Sequence, residues 1–255
     1  MTPDFAANDR VALSIDEAGV AHVRMIRADK LNALDDAMID ALIAAGDALA
    51  GMAALRCVVL SGEGRAFCAG LDLAAMGGML AAGGLDLVTR SHGNANRFQQ
   101  VAVQWRELPV PVIAAIHGVC FGGGVQIAAG ADIRIATPDA RLAVMEMKWG
   151  IVPDMGLFAL LRGTMRDDAL RELTYTAREL SGSEGQALGL VTRLEADPLT
   201  AALMLAAEIA SRNPDAVRAA KRLFNAAADQ GFDAILLAEA VEQEALLGSA
   251  NQREA

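Results

Sequence analysis

Ser61-Gly-Glu-Gly-Arg-Ala-Phe-Cys-Ala-Gly-Leu-Asp72 is a glycine-rich turn that follows the apolar run Cys57-Val-Val-Leu60. A second turn, His117-Gly-Val-Cys-Phe-Gly-Gly-Gly-Val-Gln126, follows the apolar run Val112-Ile-Ala-Ala-Ile116. Short continuous apolar runs bounded by glycine read as buried strands. Two separate loops that free backbone N–H groups at strand ends can aim two donors at one oxygen. That is how a carbonyl gaining negative charge during a reaction is stabilised.

Outward from these turns, residues 11–15 and 21–26 read as an antiparallel pair turned at Glu17-Ala-Gly19. Asp35 is a good N-cap for a helix that carries Met38, Leu42, Ile43 and Leu49 on one face. A glycine-rich stretch, 76–84, reads as mobile, and a helix is expected through Phe98 to about Leu108, ended by Pro109 and Pro111. The glycine triplet opens another helix, followed by strands near 133–136 and 142–145. Strand–helix alternation favours an α/β core with parallel pairing. From Asp167 onward nearly every segment reads as helix, in five pieces beginning near Asp168, Gly182, Leu199, Pro214 and Phe232. No internal repeat is evident.

The totals restrict the function class. The 255 residues suffice for one substantial core plus a helical appendage. With 22 Lys+Arg against 32 Asp+Glu the net charge is −10, which argues against a nucleic-acid surface. A phosphate-rich ligand would have to be held by local cations and helix N-termini, against the overall field. The longest apolar candidate, 110–131, is broken by Pro111, His117, five glycines and Gln126, so no membrane span is expected. Met1-Thr-Pro-Asp-Phe5 lacks a basic segment before an apolar core, which makes a cytoplasmic location the expectation. Cys57, Cys68 and Cys120 form no C-x-x-C, so neither a zinc site nor a disulfide framework is indicated.

Together the two loops resemble the crotonase (enoyl-CoA hydratase/isomerase) family, over about residues 11–224. The first loop matches its Phe-x-Ala-Gly-x-Asp signature, and is neither a Walker loop nor a complete dinucleotide fingerprint. The resemblance implies an α/β fold, a crotonase/ClpP-like spiral of ββα units in residues 1–195. A C-terminal helical region, 196–255, would follow and support a homotrimer or homohexamer. It implies acyl-CoA double-bond chemistry of the kind found in fatty-acid metabolism, with coenzyme A arriving as part of the substrate and no metal or redox cofactor. By the same resemblance the amides of Ala69 and Gly123 are the oxyanion donors. Arg27, Lys30, Leu31 and Ala33 would touch the CoA phosphates and adenine. Ala66, Ala69, Gly70, Leu71, Asp72 and Leu73 would line the adenine end.

Hydratases of this family use two glutamates, one three residues past the middle glycine and one just after the next strands. The first position here is Gln126, which exchanges no proton near neutral pH; the second matches Glu146. Met145, Met147 and Trp149 surround Glu146 in sequence, so desolvation should raise its pKa toward that of a general base. Asp154 stands where dienoyl-CoA isomerases carry a catalytic aspartate. The resemblance therefore favours an isomerase, with Glu146 and Asp154 moving the proton and Gln126 orienting substrate or a water. Enoyl-CoA hydratase with Glu146 alone, and a non-catalytic acyl-CoA-binding subunit, are the alternatives.

Plainer readings accompany these residues. Glu146 could pair with Lys148 or Arg141, and Asp154 could cap the next helix. The glycines could serve close packing only. His117 reads as a hydrogen-bonded loop residue, and Lys30 and Arg27 could be solvated charge. A Cys68 thiol hydrolase is a further idea, though no G-x-S-x-G elbow accompanies it.

Overall fold

The computed structural model describes residues 5–6, 8–75, 77 and 86–254. Most of the glycine-rich stretch 76–84 lies outside them. Strands β1 (Val11–Ile15) and β2 (Val20–Met25) pair antiparallel, Val11 opposite Met25. Every later strand of that sheet joins in parallel: β3 (Cys57–Gly62), β5 (Val112–Ile116), β7 (Ile133–Ala136) and β10 (Arg193–Leu194), in the order β1-β2-β3-β5-β7-β10. A second sheet has the order β4-β6-β8-β9, from β4 (Ala66–Cys68), β6 (Val119–Phe121), β8 (Arg141–Ala143) and β9 (Leu180–Ser181).

The chain thus visits the first sheet, then the second, then a helix, and repeats. Helix α1 (Asp36–Ala50) precedes β3. The turn β3–β4 leads to α2 (Arg97–Glu107), and β5–β6 leads to α3 (Gly123–Gly130). After β7–β8 come α4 (Leu157–Leu160) and α5 (Asp167–Thr176), then α6 (Gly182–Ala187), α7 (Pro198–Ala210), α8 (Pro214–Ala227), α9 (Phe232–Leu246) and α10 (Ala250–Glu254). This is the expected α/β spiral of ββα units.

Alternation within the strands explains why the first sheet is buried on both sides. Val58 and Leu60 join a core with Met38, Leu42 and Leu49 of α1 and Val101 and Trp105 of α2. Cys57 and Val59 face the other way, onto Ala202, Ala206 and Ala210 of α7, with Ile113 and Ile135. Small alanines on α7 let that helix lie close to the sheet. Asp35 caps α1 as read, accepting the Met38 N–H at 2.8 Å. Further on, Lys221 of α8 is buried. Its Nζ bonds the carbonyls of Trp105 and Val110 at 3.1 and 2.7 Å and pairs with Asp132 at 2.9 Å. By contrast α9 buries no residue and exposes Leu236, Leu237 and Val241.

The sequence reading did not include the short strands β4, β6, β9 and β10, and it placed the end of one other strand too late. The segment read as a strand at 142–145 is β8 at Arg141–Ala143, because its partner β6 ends at Phe121, opposite Ala143. Freed from the ladder, the chain turns into a 3-10 turn, Glu146–Trp149, closed at Gly150 with φ 70°. Among the described residues no helix is long and apolar enough to cross a membrane.

Candidate active site

Strands β4 and β6 lie side by side and parallel, Cys68 beside Cys120, so both glycine turns leave the second sheet at one edge. Gly70 has φ 86°, and a Cβ there would stand 2.7 Å from Phe121 O and 3.4 Å from Gly123 N. The two loops therefore touch through bare backbone. The triplet has packing reasons as well: a Cβ on Gly124 would stand 2.4 Å from Cys68 O, and one on Gly123 would stand 2.7 Å from Leu34 Cδ1. Gly123 opens α3, so its N–H has no acceptor within the helix.

The amide of Ala69 is not the free one. It donates to Leu31 O at 2.9 Å, which removes it from the role the resemblance assigned to it. Leu34 bonds across to the neighbours of Leu71, taking Gly70 O at 2.8 Å and receiving Asp72 N–H at 2.9 Å. In such a parallel bridge the N–H of Leu71 faces away from Leu34. Among the described residues it has no partner. The positive φ of Gly70 turns the chain between these two amides, a reversal that the motif alone did not reveal. Leu71 and Gly123 are the pair with amides to spare.

Glu146 sits at the head of the 3-10 turn, buried at 7% exposure. Its Oε1 accepts Gln126 Nε2 at 2.6 Å, while Oε2 is buried with no partner. Burial raises the Glu146 pKa, and the nearby charge of Asp154 adds to this, against the hydrogen bond from Gln126. Asp154 is half-buried, and burial raises its pKa too. Gln126 Oε1 accepts the Met155 N–H at 2.8 Å, tying the Glu146 side chain to the Asp154–Met155 segment. A Cβ on Gly122 would stand 3.4 Å from Glu146 Oε1, so the carboxylate lies over the start of α3.

The plainer readings of these acids are not realised. Arg141 pairs with Glu179 at 2.6 Å, and no salt bridge to Glu146 forms among the described residues. Asp154 caps nothing, because the N-cap of α4 is Gly156.

Of the expected CoA contacts, Lys30 and Leu73 are exposed, and Leu31, Ala33 and Leu71 are half-buried beside them. The stretches 28–33 and 69–73 lie together through the Ala69–Leu31 bond and the Leu34–Leu71 bridge. Arg27 is committed elsewhere: it pairs with Asp72 at 2.8 Å and donates to Ala33 O at 3.0 Å. Its Nη1 is thus engaged within the protein, and the Asp72 carboxylate is its partner. Ala66 is fully buried, with its carbonyl held by Asn32 Nδ2 at 2.9 Å, so it lines no ligand surface. Asn32 went unread in the sequence. It takes a left-handed φ of 56°, which asparagine tolerates better than most residues.

His117 Nε2 lies 2.9 Å from Gly64 O, as a loop residue would. The Cys68 thiol is buried and pushed up to about 12, so it offers no thiolate and the thiol-hydrolase idea falls. Among the described residues no group of three or more His, Cys, Asp or Glu is placed to hold a metal.

The family model for enoyl-CoA hydratase/isomerase matches residues 16–254. The chain belongs to the enoyl-CoA hydratase/isomerase family. Within it, the rat mitochondrial Delta(3,5)-Delta(2,4)-dienoyl-CoA isomerase is 36% identical over 210 residues, covering 79% of this chain. The chain spans 64% of that protein's length. Mouse mitochondrial methylglutaconyl-CoA hydratase is 31% identical over 240 residues, covering 91% of this chain and 73% of that protein. The crystal structure of an enoyl-CoA hydratase from Bacillus anthracis superposes with a TM-score of 0.86 at 28% identity, covering 96% of this chain and 93% of that one. The family thus includes isomerase and hydratase relatives of this crotonase-type chain.

Proposed function

We propose that this family member moves a carbon–carbon double bond within an acyl-CoA thioester. The observation that carries the reading is the Gln126–Glu146–Asp154 arrangement. One position that would need an ionisable partner for water addition holds an amide, while two carboxylates with raised pKa values stand on the 3-10 turn and the loop that follows it, linked through Gln126. The thioester oxygen accepts the N–H groups of Leu71 and Gly123. Each such oriented donor is worth about 3 kcal/mol to a developing enolate. Glu146 takes the proton from the carbon next to the thioester, and the C–H electron pair becomes the enolate. A proton returned at the distal carbon, with Asp154 assisting, completes the shift. For a 3,5-diene that distal carbon is C6 and the product is the 2,4-diene. Lys30, with Leu31, Ala33 and Leu73, forms the side on which the CoA moiety lies.

A second reading, enoyl-CoA hydratase, is favoured by the partnerless Glu146 Oε2, which could activate a water by itself. A non-catalytic acyl-CoA-binding subunit is the third. Incubating the protein with 2-enoyl-, 3-enoyl- and 3,5-dienoyl-CoA in deuterated water separates them. Isomerisation gives a shifted double bond and no 3-hydroxyacyl product, with deuterium at the distal carbon wherever the carried proton exchanges with solvent. A 3-hydroxyacyl product from 2-enoyl-CoA would replace this reading with hydration. Binding without turnover would replace it with the silent subunit.

Assembly as a homotrimer or homohexamer belongs to the same proposal, supported by the apolar residues α9 leaves exposed. Analytical ultracentrifugation giving a monomer at micromolar concentration would refute it.

A further inference from the structure

Gln126 lies in the first turn of α3 at 1% exposure, and both ends of its side-chain amide are used. Nε2 donates to Glu146 Oε1 at 2.6 Å, and Oε1 receives the Met155 N–H at 2.8 Å. Reversing the amide would set its NH2 against the Met155 N–H and its oxygen against a carboxylate, so only one orientation is satisfied. As a result the two oxygens of Glu146 are not equivalent. Oε1 is engaged, whereas Oε2 is buried and has no partner.

We propose that Gln126 is a positioning residue that divides the work of Glu146. It anchors Oε1, leaves Oε2 as the atom that takes and returns the proton, and locks the Asp154–Met155 segment to the same side chain. This rests on reading Glu146 as the proton carrier. A carboxylate held by one oxygen cannot swing, so the reacting oxygen is already oriented before substrate arrives. The amide also favours the charged form of Glu146, while burial and Asp154 oppose it. No Lys or Arg pairs with Glu146 among the described residues, since Arg141 is held by Glu179. Gln126 is thus the one identified side chain that favours the ionised form of the base without neutralising it.

The test uses Gln126→Met, which fills the space without the hydrogen bonds, and Gln126→Glu, which is isosteric. Glu146→Gln serves as the control. Two readouts are taken: kcat and KM against pH with a 3,5-dienoyl-CoA, and an infrared pH titration of the Glu146 carboxyl. The infrared band is assigned by its loss in Glu146→Gln. In Gln126→Met, kcat should fall about tenfold or more, the loss expected for one hydrogen bond to a charged group, with KM unchanged. Its acid limb and its infrared midpoint should both move to higher pH. Gln126→Glu should move them further, because two carboxyls at that separation share one proton.

A wild-type pH profile and infrared midpoint in Gln126→Met would overturn the proposal, as would a change in KM alone. If Gln126→Met does not fold, Gln126→Glu decides by the same criteria. Full activity in Glu146→Gln would remove the base reading itself. An inactive Glu146→Gln beside an unchanged Gln126→Met would overturn the role of Gln126 alone.

Discussion

Arg27 Nη1 lies 2.8 Å from Asp72 Oδ2, joining the segment after β2 to the residue that follows Leu71. The same guanidinium donates to Ala33 O and stands 3.4 Å from Asp35, so the pair sits in a small network rather than alone. Its hydrogen bond to Asp72 holds that carboxyl below the usual carboxylate range. The aspartate of the Phe-x-Ala-Gly-x-Asp signature therefore works here as a tie for the loop that offers the Leu71 amide.

From this pair, Arg27→Met should lower kcat about tenfold by loosening that loop, with little change in CoA affinity. Lys30→Ala should instead raise KM and leave kcat alone, the mark of lost uniform binding. Steady-state kinetics of both variants check this; weaker CoA binding in Arg27→Met than in Lys30→Ala would reverse the assignment.

Replacing single amides by esters distinguishes Leu71 from Ala69. An ester at Leu71, introduced as the α-hydroxy acid, removes a donor to the thioester oxygen and should cost about 10²–10³ in kcat. An ester at Ala69 breaks only the bond to Leu31 O and should cost about 1 kcal/mol of stability with kcat nearly unchanged. Single-turnover kinetics and denaturant titration read the two effects; equal kcat losses would show the donor assignment to be mistaken.

Glu146→Gln should abolish proton transfer and yet stabilise the fold near neutral pH. A carboxyl whose pKa is raised on folding holds its proton longer in the native state. Its contribution to stability is present at low pH and is lost as pH rises from the unfolded toward the folded pKa. The neutral glutamine escapes that loss. Thermal melts of both proteins at pH 7 and at pH 4 check the sign: the variant's advantage should appear at the higher pH and vanish at the lower. An advantage that grows toward acid would contradict a raised pKa.

Lys221→Met probes the fold away from the site. It strips Asp132 and the carbonyls of Trp105 and Val110 of their shared partner. The expected cost is about 3 kcal/mol, the low end for breaking a buried pair, because the Asp132 side chain keeps 25% of its surface exposed. Calorimetry should show Tm lower by about 6–12 °C, at 2–4 °C per kcal/mol for a chain of this size. Turnover below the transition should be unchanged.

Much of this was legible in the chain itself. The apolar run 57–60, the glycine punctuation and the alternation of strand with helix specify the spiral, because burial on both faces of a parallel sheet leaves continuous apolar runs. The one-amide, two-acid character of the site was also visible, since residue type alone separates Gln126 from Glu146 and Asp154. What the sequence could not give was direction. Whether Ala69 or Leu71 has a spare N–H depends on the peptide reversed at Gly70 and on where Leu34 bonds. Arg27 is a free cation in sequence and a structural tie in space, because Asp72 becomes its neighbour only after β3 and β4 have formed. Composition and local pattern decided which elements exist and which chemical groups are at hand. Tertiary contacts between residues far apart in the chain decided which of those groups remain unbonded and so free to act, because a polar group's partner is fixed only once the chain has folded back on itself.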